Sequence, residues 1–362
     1  MNSFPDSFKC IWCGHDLFIA NKLSVFPICT QLSSIFLPSI ALPTDNHSFH
    51  SFVPSVCSHC LSPQVTSNSP LPIHSFSNPS IQYNEPDQHL EALSGLLAPI
   101  AADKSVRCYS YKDLPLARLL NSEYTADTSA LKDSKFTSQR GPTFHLARRY
   151  IEHFTCHESF HTFLSSIIPG DFLYLEILDF SQQLNPLFLW DERHLYPSRT
   201  FLLSFFSELG FSLIHQQTND FGEPFHCLVF KRNTSRSLFD PFTKLRENHP
   251  IDIYQLYHEL IHAASDLTSG STSLAFYGVS HKALTLATTC LCLNPEIRIN
   301  LIDSSPAKVG KFWSNLMITD FDSKLVSMSS KHIFSFGGAN ALNLISQLPQ
   351  SALTISLPAL FS

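Results

Sequence analysis

The sequence predicts an α/β protein of more than one folding unit, and three observations predict it. From residue 88 onward apolar stretches of helical period alternate with stretches of strand period, the pattern of parallel strands joined by helical crossovers. Hydrophobic residues make up 44% of the 362 positions, with 31 Phe, against 15% charged, which is enough apolar material for sheets buried on both faces. Two C-x-x-C pairs, Cys10 with Cys13 and Cys57 with Cys60, mark a separate N-terminal unit. A chain of this length exceeds a single core at a prior of about 150 residues per domain.

Composition excludes several classes. The net charge is −6 and Lys and Arg are scattered without a basic stripe, so nucleic acid is not expected as a partner. No unbroken apolar run approaches about 18 residues, and prolines and polar residues cut the most hydrophobic early stretch, 26–43, so no membrane association is expected. The first residues lack the basic end and clean apolar core of a secretory signal, which makes the cytoplasm the expected location. In that reducing compartment the ten cysteines are expected as metal ligands or buried thiols rather than disulfides. Oligomeric state is not legible.

Taken in order, each C-x-x-C turn points two thiolates at one ion, so Cys10, Cys13, Cys57 and Cys60 form the expected tetrahedral zinc shell. Cys29, His15 and His59 are alternative ligands. A zinc ion closed by four protein ligands is structural. Residues 62–86, rich in Ser, Pro and Asn, read as a linker. Helices are expected at 89–100, 114–120, 158–168 and 201–209, and strands at 106–110, 143–146, 172–178, 211–215 and 227–231. The turn at 219–224 makes the last two an antiparallel edge. After a connection at 233–246, helices at 253–265, 282–289 and 341–348 alternate with strands at 273–277, 297–302 and 332–336. The turn at Gly278, the following helix and a strand closed by Asp303 outline a nucleotide-binding half-sheet, with Lys282 and Lys308 placed to meet phosphates. Gly278 stands alone where a phosphate-cradling loop has three glycines. The expected architecture is a small N-terminal zinc-binding domain with its linker (1–80) followed by two Rossmann-like α/β domains (81–235 and 245–362).

The densest run of acid–base groups is Leu-Trp-Asp-Glu-Arg-His-Leu-Tyr at 189–196, beyond the carboxyl end of strand 172–178. It brings together Asp191, Glu192, His194 and Tyr196. A second candidate is His258-Glu259-Leu260-Ile261-His262, which matches the zinc-protease pattern H-E-x-x-H. Ser265 and Thr268 stand where the extended pattern has Gly and His.

The order of motifs resembles the S-adenosylmethionine-dependent sugar C-methyltransferases along nearly the whole chain. Cys57-Ser58-His59-Cys60 with Gln64 is similar to the family's second zinc knuckle. Ala147-Arg148-Arg149-Tyr150-Ile151-Glu152-His153 resembles "ARHxLEH", and Pro169-Gly170-Asp171 through Glu176 resembles "PGGxLxIE". The 189–196 run with Leu209-Gly210-Phe211 resembles "WEEHxxYF…GF". Tyr277-Gly278 with Lys282-Ala283 resembles "YGAxxKG", and Asp303 through Lys311 "DxxPxKxGK". The resemblance implies a class I methyltransferase domain and methyl transfer from S-adenosylmethionine to a carbon of a small-molecule substrate, a nucleotide-linked sugar or similar. It implies His194 as the base removing a proton α to a carbonyl, Glu192 orienting it, Tyr196 stabilising the enolate and Asp191 within the same motif. Gly95, Tyr111, Asp113 and His153 are the implied cofactor contacts, Asp113 through a ribose hydroxyl. Two departures stand out: residues 89–95 carry one glycine where the family has a glycine-rich loop, and Arg193 holds the place of the family's base. Arginine cannot act as a base near neutral pH. Either His194 takes the role, or the chain is a catalytically degenerate binding protein on the same fold.

Overall fold

The computed structural model describes residues 8–19, 26–27, 51–67, 85, 87–120, 124–126, 141–180, 185–189, 193–220, 224–234, 246–247, 251–306, 308–313, 316–321, 328–335, 338–349 and 352–361. Of the candidate residues, Cys29, Asp191 and Glu192 lie outside them.

The N-terminal strands β1 (Leu17–Ile19), β2 (Phe26–Pro27), β3 (Ser51–Cys57) and β4 (Pro63–Ser67) form an antiparallel sheet in which β3 pairs with the other three. Strand β4 corrects the linker expected from residue 62. Its five residues carry too little periodicity to read as a strand, and its place is set by pairing with β3 and by contact with His194, both distant in sequence.

The central sheet contains β5 (Ser105–Cys108), β6 (Tyr124–Ala126), β7 (Thr143–Arg148), β8 (Phe172–Leu178), β9 (Phe211–Asp220) and β10 (Pro224–Arg232), in the order β6-β5-β7-β8-β10-β9. Strands β5 to β8 are parallel and β10 is antiparallel to both neighbours, the expected edge hairpin. Helices α1 (Asp87–Ala101), α2 (Leu114–Leu120), α3 (His157–Ser165) and α4 (Arg199–Glu208) accompany it. The near-continuous apolar run of β8 is that of a strand covered on both faces, and only Glu176 interrupts it. Helix α4 stops at Gly210, where φ is +82° and a Cβ would collide with Thr234.

The C-terminal sheet runs β13-β14-β12-β11-β15-β16, from β11 (Ser273–Tyr277), β12 (Arg298–Ile302), β13 (Phe312–Trp313), β14 (Leu316–Thr319), β15 (Lys331–Phe334) and β16 (Leu353–Ser356). All its pairings are parallel except the β13–β14 hairpin. Helices α5 (Ile253–Thr268), α6 (His281–Leu293) and α7 (Gly338–Ile345) belong to it. The architecture is therefore mixed α/β with two Rossmann-like sheets. Among the described residues no helix is long and apolar enough to cross a membrane.

Two apolar clusters stitch these parts together. One packs Cys10, Trp12, Cys57 and Cys60 against Phe160, Phe201 and Phe205 of α3 and α4. The other runs from Val65 through Leu189 and Tyr196 to Leu256, Leu260 and Leu284 of α5 and α6. Leu189 and residues 193–196 thus sit where all three sheets meet.

Candidate functional site

The four sulfur atoms of Cys10, Cys13, Cys57 and Cys60 lie within 4.8 Å of one another, with Cys10 and Cys60 3.6 Å apart and Cys13 and Cys57 3.5 Å apart. A tetrahedral Zn–S₄ shell with bonds of about 2.3 Å places its sulfurs about 3.8 Å apart, so these residues fit that group. Outer donors are in place as well. Gln64 donates from Nε2 to Cys10 Sγ at 2.8 Å, and the N–H groups of His59 and Cys60 each lie 3.4 Å from Cys57 Sγ. Hydrogen bonds from neighbouring sulfurs, that of Cys10 foremost, draw Cys13 below the ordinary thiol range and Cys57 to about 7. His15 and His59 stack on each other at 3.9 Å and do not join the group. The first knuckle is anchored from behind. Trp12 is enclosed edge-on by Phe160, Phe201 and Phe205 at 4.8–5.2 Å, and its carbonyl accepts from His161 Nε2 at 3.1 Å.

In the central sheet the strand order reverses between β5 and β7, the place where open α/β sheets hold ligands beyond the carboxyl ends of their strands. Asp113 and His153 both stand on the turns leaving that edge, and Tyr111 opens the same turn as Asp113. Gly95 lies inside helix α1 with open space around it. Asp113 is fully buried and accepts three backbone N–H groups: Tyr109 and Ser110 on Oδ2 (2.9 Å each) and Arg148 on Oδ1 (3.2 Å). Burial pushes its carboxyl up to about 6 in spite of those bonds. The carboxylate is thereby engaged in holding the 109–113 turn against β7.

Around Arg148, the last residue of β7, gather charged residues that the sequence did not single out as ligands. Arg148, 1% exposed, donates from Nε to Glu176 Oε2 (3.0 Å), from Nη1 to the Lys112 carbonyl (3.2 Å), and from Nη1 and Nη2 to the two oxygens of Glu85 (2.9 and 2.5 Å). Arg149 adds a bond to Glu176 at 3.2 Å. Two arginines face two carboxylates, and the group is closed in charge. Beside it Tyr109, His145 and Asp171 form a chain: Tyr109 Oη lies 2.5 Å from His145 Nδ1, and His145 Nε2 lies 3.1 Å from Asp171 Oδ2. Burial opposes ionisation of Asp171, but His145 and the N–H groups of Thr143 and Ile168 hold it below the ordinary carboxylate value. The ring therefore donates to Asp171 through Nε2 and accepts the Tyr109 proton at Nδ1.

Of the 189–196 run, the described residues 189 and 193–196 are buried. His194 is tied on three sides: its N–H donates to the Glu152 carbonyl (2.7 Å), its carbonyl accepts from Val65 N–H (2.8 Å), and its Nδ1 lies 2.8 Å from the Val65 carbonyl. Nδ1 therefore carries the proton and Nε2 the lone pair. Tyr196 donates to the Arg193 carbonyl at 3.2 Å. Arg193 reaches Glu152 Oε1 at 3.3 Å, while the second oxygen of that buried carboxylate has no hydrogen-bond partner. These side chains are brought together, but as an inward-facing seam. In the C-terminal sheet Asp303 accepts from Val279 N–H (2.7 Å), Ser305 N–H (2.8 Å) and Lys308 Nζ (2.9 Å). The H-E-x-x-H helix faces outward: His258 is exposed, and His262 pairs with exposed Asp266 at 3.1 Å. Among the described residues only the four cysteines gather three or more metal-ligating side chains.

No protein-family model and no curated protein matches this chain. Solved structures give partial likenesses. An O-methyltransferase family protein from Burkholderia thailandensis is 10% identical with a TM-score of 0.28, over 41% of this chain and 60% of that one. The 1,6-didemethyltoxoflavin-N1-methyltransferase of the same organism, with bound S-adenosylhomocysteine, is 10% identical at 0.29, over 50% and 99%. Human N-acetylserotonin methyltransferase in complex with SAM is 13% identical at 0.27, over 41% and 55%. This chain thus spans less than two thirds of the first and third of these. At such identities and TM-scores the reading of the site rests on its own geometry.

Proposed function

We propose that this chain is a binding protein on a methyltransferase-type scaffold, stapled by structural zinc, in which the cofactor crevice has been closed by the chain's own side chains. The observation that carries the reading is the Arg148–Glu85–Glu176 cluster at the strand-order reversal. With Asp113 engaged by three N–H groups and no glycine in the 109–113 turn, the chain does not offer S-adenosylmethionine a ribose acceptor or a backbone cradle. The seam at 193–196 agrees. Arg193 holds the base position, and His194 and Tyr196, 2% and 1% exposed, bind the backbone around them.

Zinc at Cys10, Cys13, Cys57 and Cys60 would supply no reaction step. It fixes two loops far apart in sequence, and through Trp12 it positions the knuckles on α3 and α4.

The enzymatic reading has one geometric point in its favour: the Nδ1 bond of His194 leaves Nε2 as the basic nitrogen, the tautomer that removal of an α proton requires. Incubation of the purified full chain with methyl-labelled S-adenosylmethionine and a panel of nucleotide sugars separates the two. No transfer is expected. Transfer that disappears in His194→Ala would reinstate methyl transfer to a sugar carbon.

A further inference from the structure

We infer that the outward face of helix α5 carries a second metal site, in which His258 and His262 hold one late first-row divalent ion through their imidazole nitrogens and Asp266 positions the second ring. Its basis is independent of the crevice and of the cysteines. Residues four apart on a helix stand one above the other, with about 5–6 Å between their Cβ atoms, so two imidazoles at that spacing can close on one ion. His258 and His262 have this spacing within α5, and both are exposed. The helix does not depend on the ion to form. Leu256, Tyr257, Leu260 and Ala264 bury its other face, and Asp252 caps its start by accepting from Tyr254 N–H (3.1 Å) and Gln255 N–H (2.9 Å). The backbone of the site is therefore in place before any metal arrives, and only the His258 ring has to swing toward its neighbour.

Asp266 supplies the second support. Its Oδ2 lies 3.1 Å from His262 Nδ1, so Nδ1 carries the proton and Nε2 keeps the lone pair. A carboxylate behind the imidazole is the arrangement that fixes the tautomer and ring direction of a ligating histidine and raises its basicity. Glu259 is engaged differently: its Oε1 accepts from Gln255 Nε2 at 2.7 Å, along the helix. The acid of the H-E-x-x-H pattern is thus held by its own helix, and the pair of histidines is a metal-holding site whose other coordination positions belong to water. Neutral imidazoles also select the ion. Magnesium and calcium take oxygen ligands, whereas copper(II), nickel(II) and zinc(II) accept imidazole, copper(II) most strongly. With two protein ligands against the four thiolates, this site is the weaker one and fills only when the ion is added. Zinc retained through purification therefore counts the cysteines alone.

The test is calorimetric titration of the zinc-loaded full chain with nickel(II) chloride, beside His258→Ala, His262→Ala, Asp266→Asn and Glu259→Gln. All four positions lie off the buried face of α5, so the variants are expected to fold and melt with the wild type. One saturable nickel site per chain is expected in the wild type, lost in each histidine variant and unchanged in Glu259→Gln. Asp266→Asn should weaken it by about tenfold or more, the effect of removing the group that orients a ligating histidine. Magnesium chloride should give no saturable heat that these variants alter. A nickel isotherm that survives the loss of either histidine overturns the site, and so does nickel uptake matched by an equivalent of released zinc, which would place the ion at the cysteines. Equal weakening by Asp266→Asn and Glu259→Gln would overturn the role given to Asp266.

Discussion

At Asp113 one carboxylate takes three backbone N–H groups and thereby fixes how the 109–113 turn sits against β7. Asp113→Asn replaces one acceptor oxygen by a donor and leaves a buried N–H unmet, at a cost of about 1–3 kcal/mol readable in urea unfolding. The variant should also change the pH profile. The native carboxyl, at about 6, lies above its ordinary 3.8, so the folded state keeps the proton longer than the unfolded one. That contribution is fully present below pH 3.8 and is lost as pH rises through 6, and Asp113→Asn should abolish this decline. Glu85 and Asp171 have the opposite sign, because hydrogen-bonding partners hold both below their ordinary values. Their contribution is lost as pH falls below the usual carboxylate range and should persist in the variant. Arg148→Met strands Glu85 and Glu176 and should cost about 3–5 kcal/mol by the same unfolding measurement. A loss under 1 kcal/mol would contradict a buried, closed cluster.

At the scale of elements, the two C-x-x-C knuckles hold the N-terminal sheet on the central one. Cys57→Ser, or a strong chelator, should remove zinc to well under one ion per chain by elemental analysis, whereas His258→Ala should leave the stoichiometry unchanged. Zinc lost in His258→Ala but kept in Cys57→Ser would contradict the assignment. Strands β8 and β11 and helix α2 were legible in the sequence, because an apolar run bounded by Pro, Gly or Asp announces its own limits. Strand β4 was not, since Pro63 and the polar residues around Val65 look like a linker until β3 and His194 are brought beside them. The four cysteines were legible for a related reason: each pair is a local motif, and only their meeting is long-range. The Arg148 cluster carried no such mark. Glu85, Arg148 and Glu176 are separated by 63 and 28 positions, and each alone reads as an ordinary charge.

Across the whole molecule, both Rossmann-like sheets carry the same device at their order reversals. Tyr109 stands two residues beyond Arg107, the partner of His145, and bonds that histidine; Tyr277 stands two beyond Ala275, the partner of His332, and bonds it at 3.0 Å. In the central sheet this pair borders a crevice filled with charge. In the C-terminal sheet it lies behind Gly278 and Asp303, whose carboxylate already holds Lys308. Tyr196 belongs to the apolar cluster from Val65 to α6 and Leu195 to the one around the cysteine knuckles, so residues 193–196 lie buried between the sheets. The central claim is that the crevice between β5 and β7 is closed to S-adenosylmethionine, and equilibrium titration calorimetry of the wild-type chain with that cofactor tests it most directly. The account predicts no saturable heat up to millimolar concentration; a saturable isotherm at one site per chain, weakened by Asp113→Asn, would contradict it.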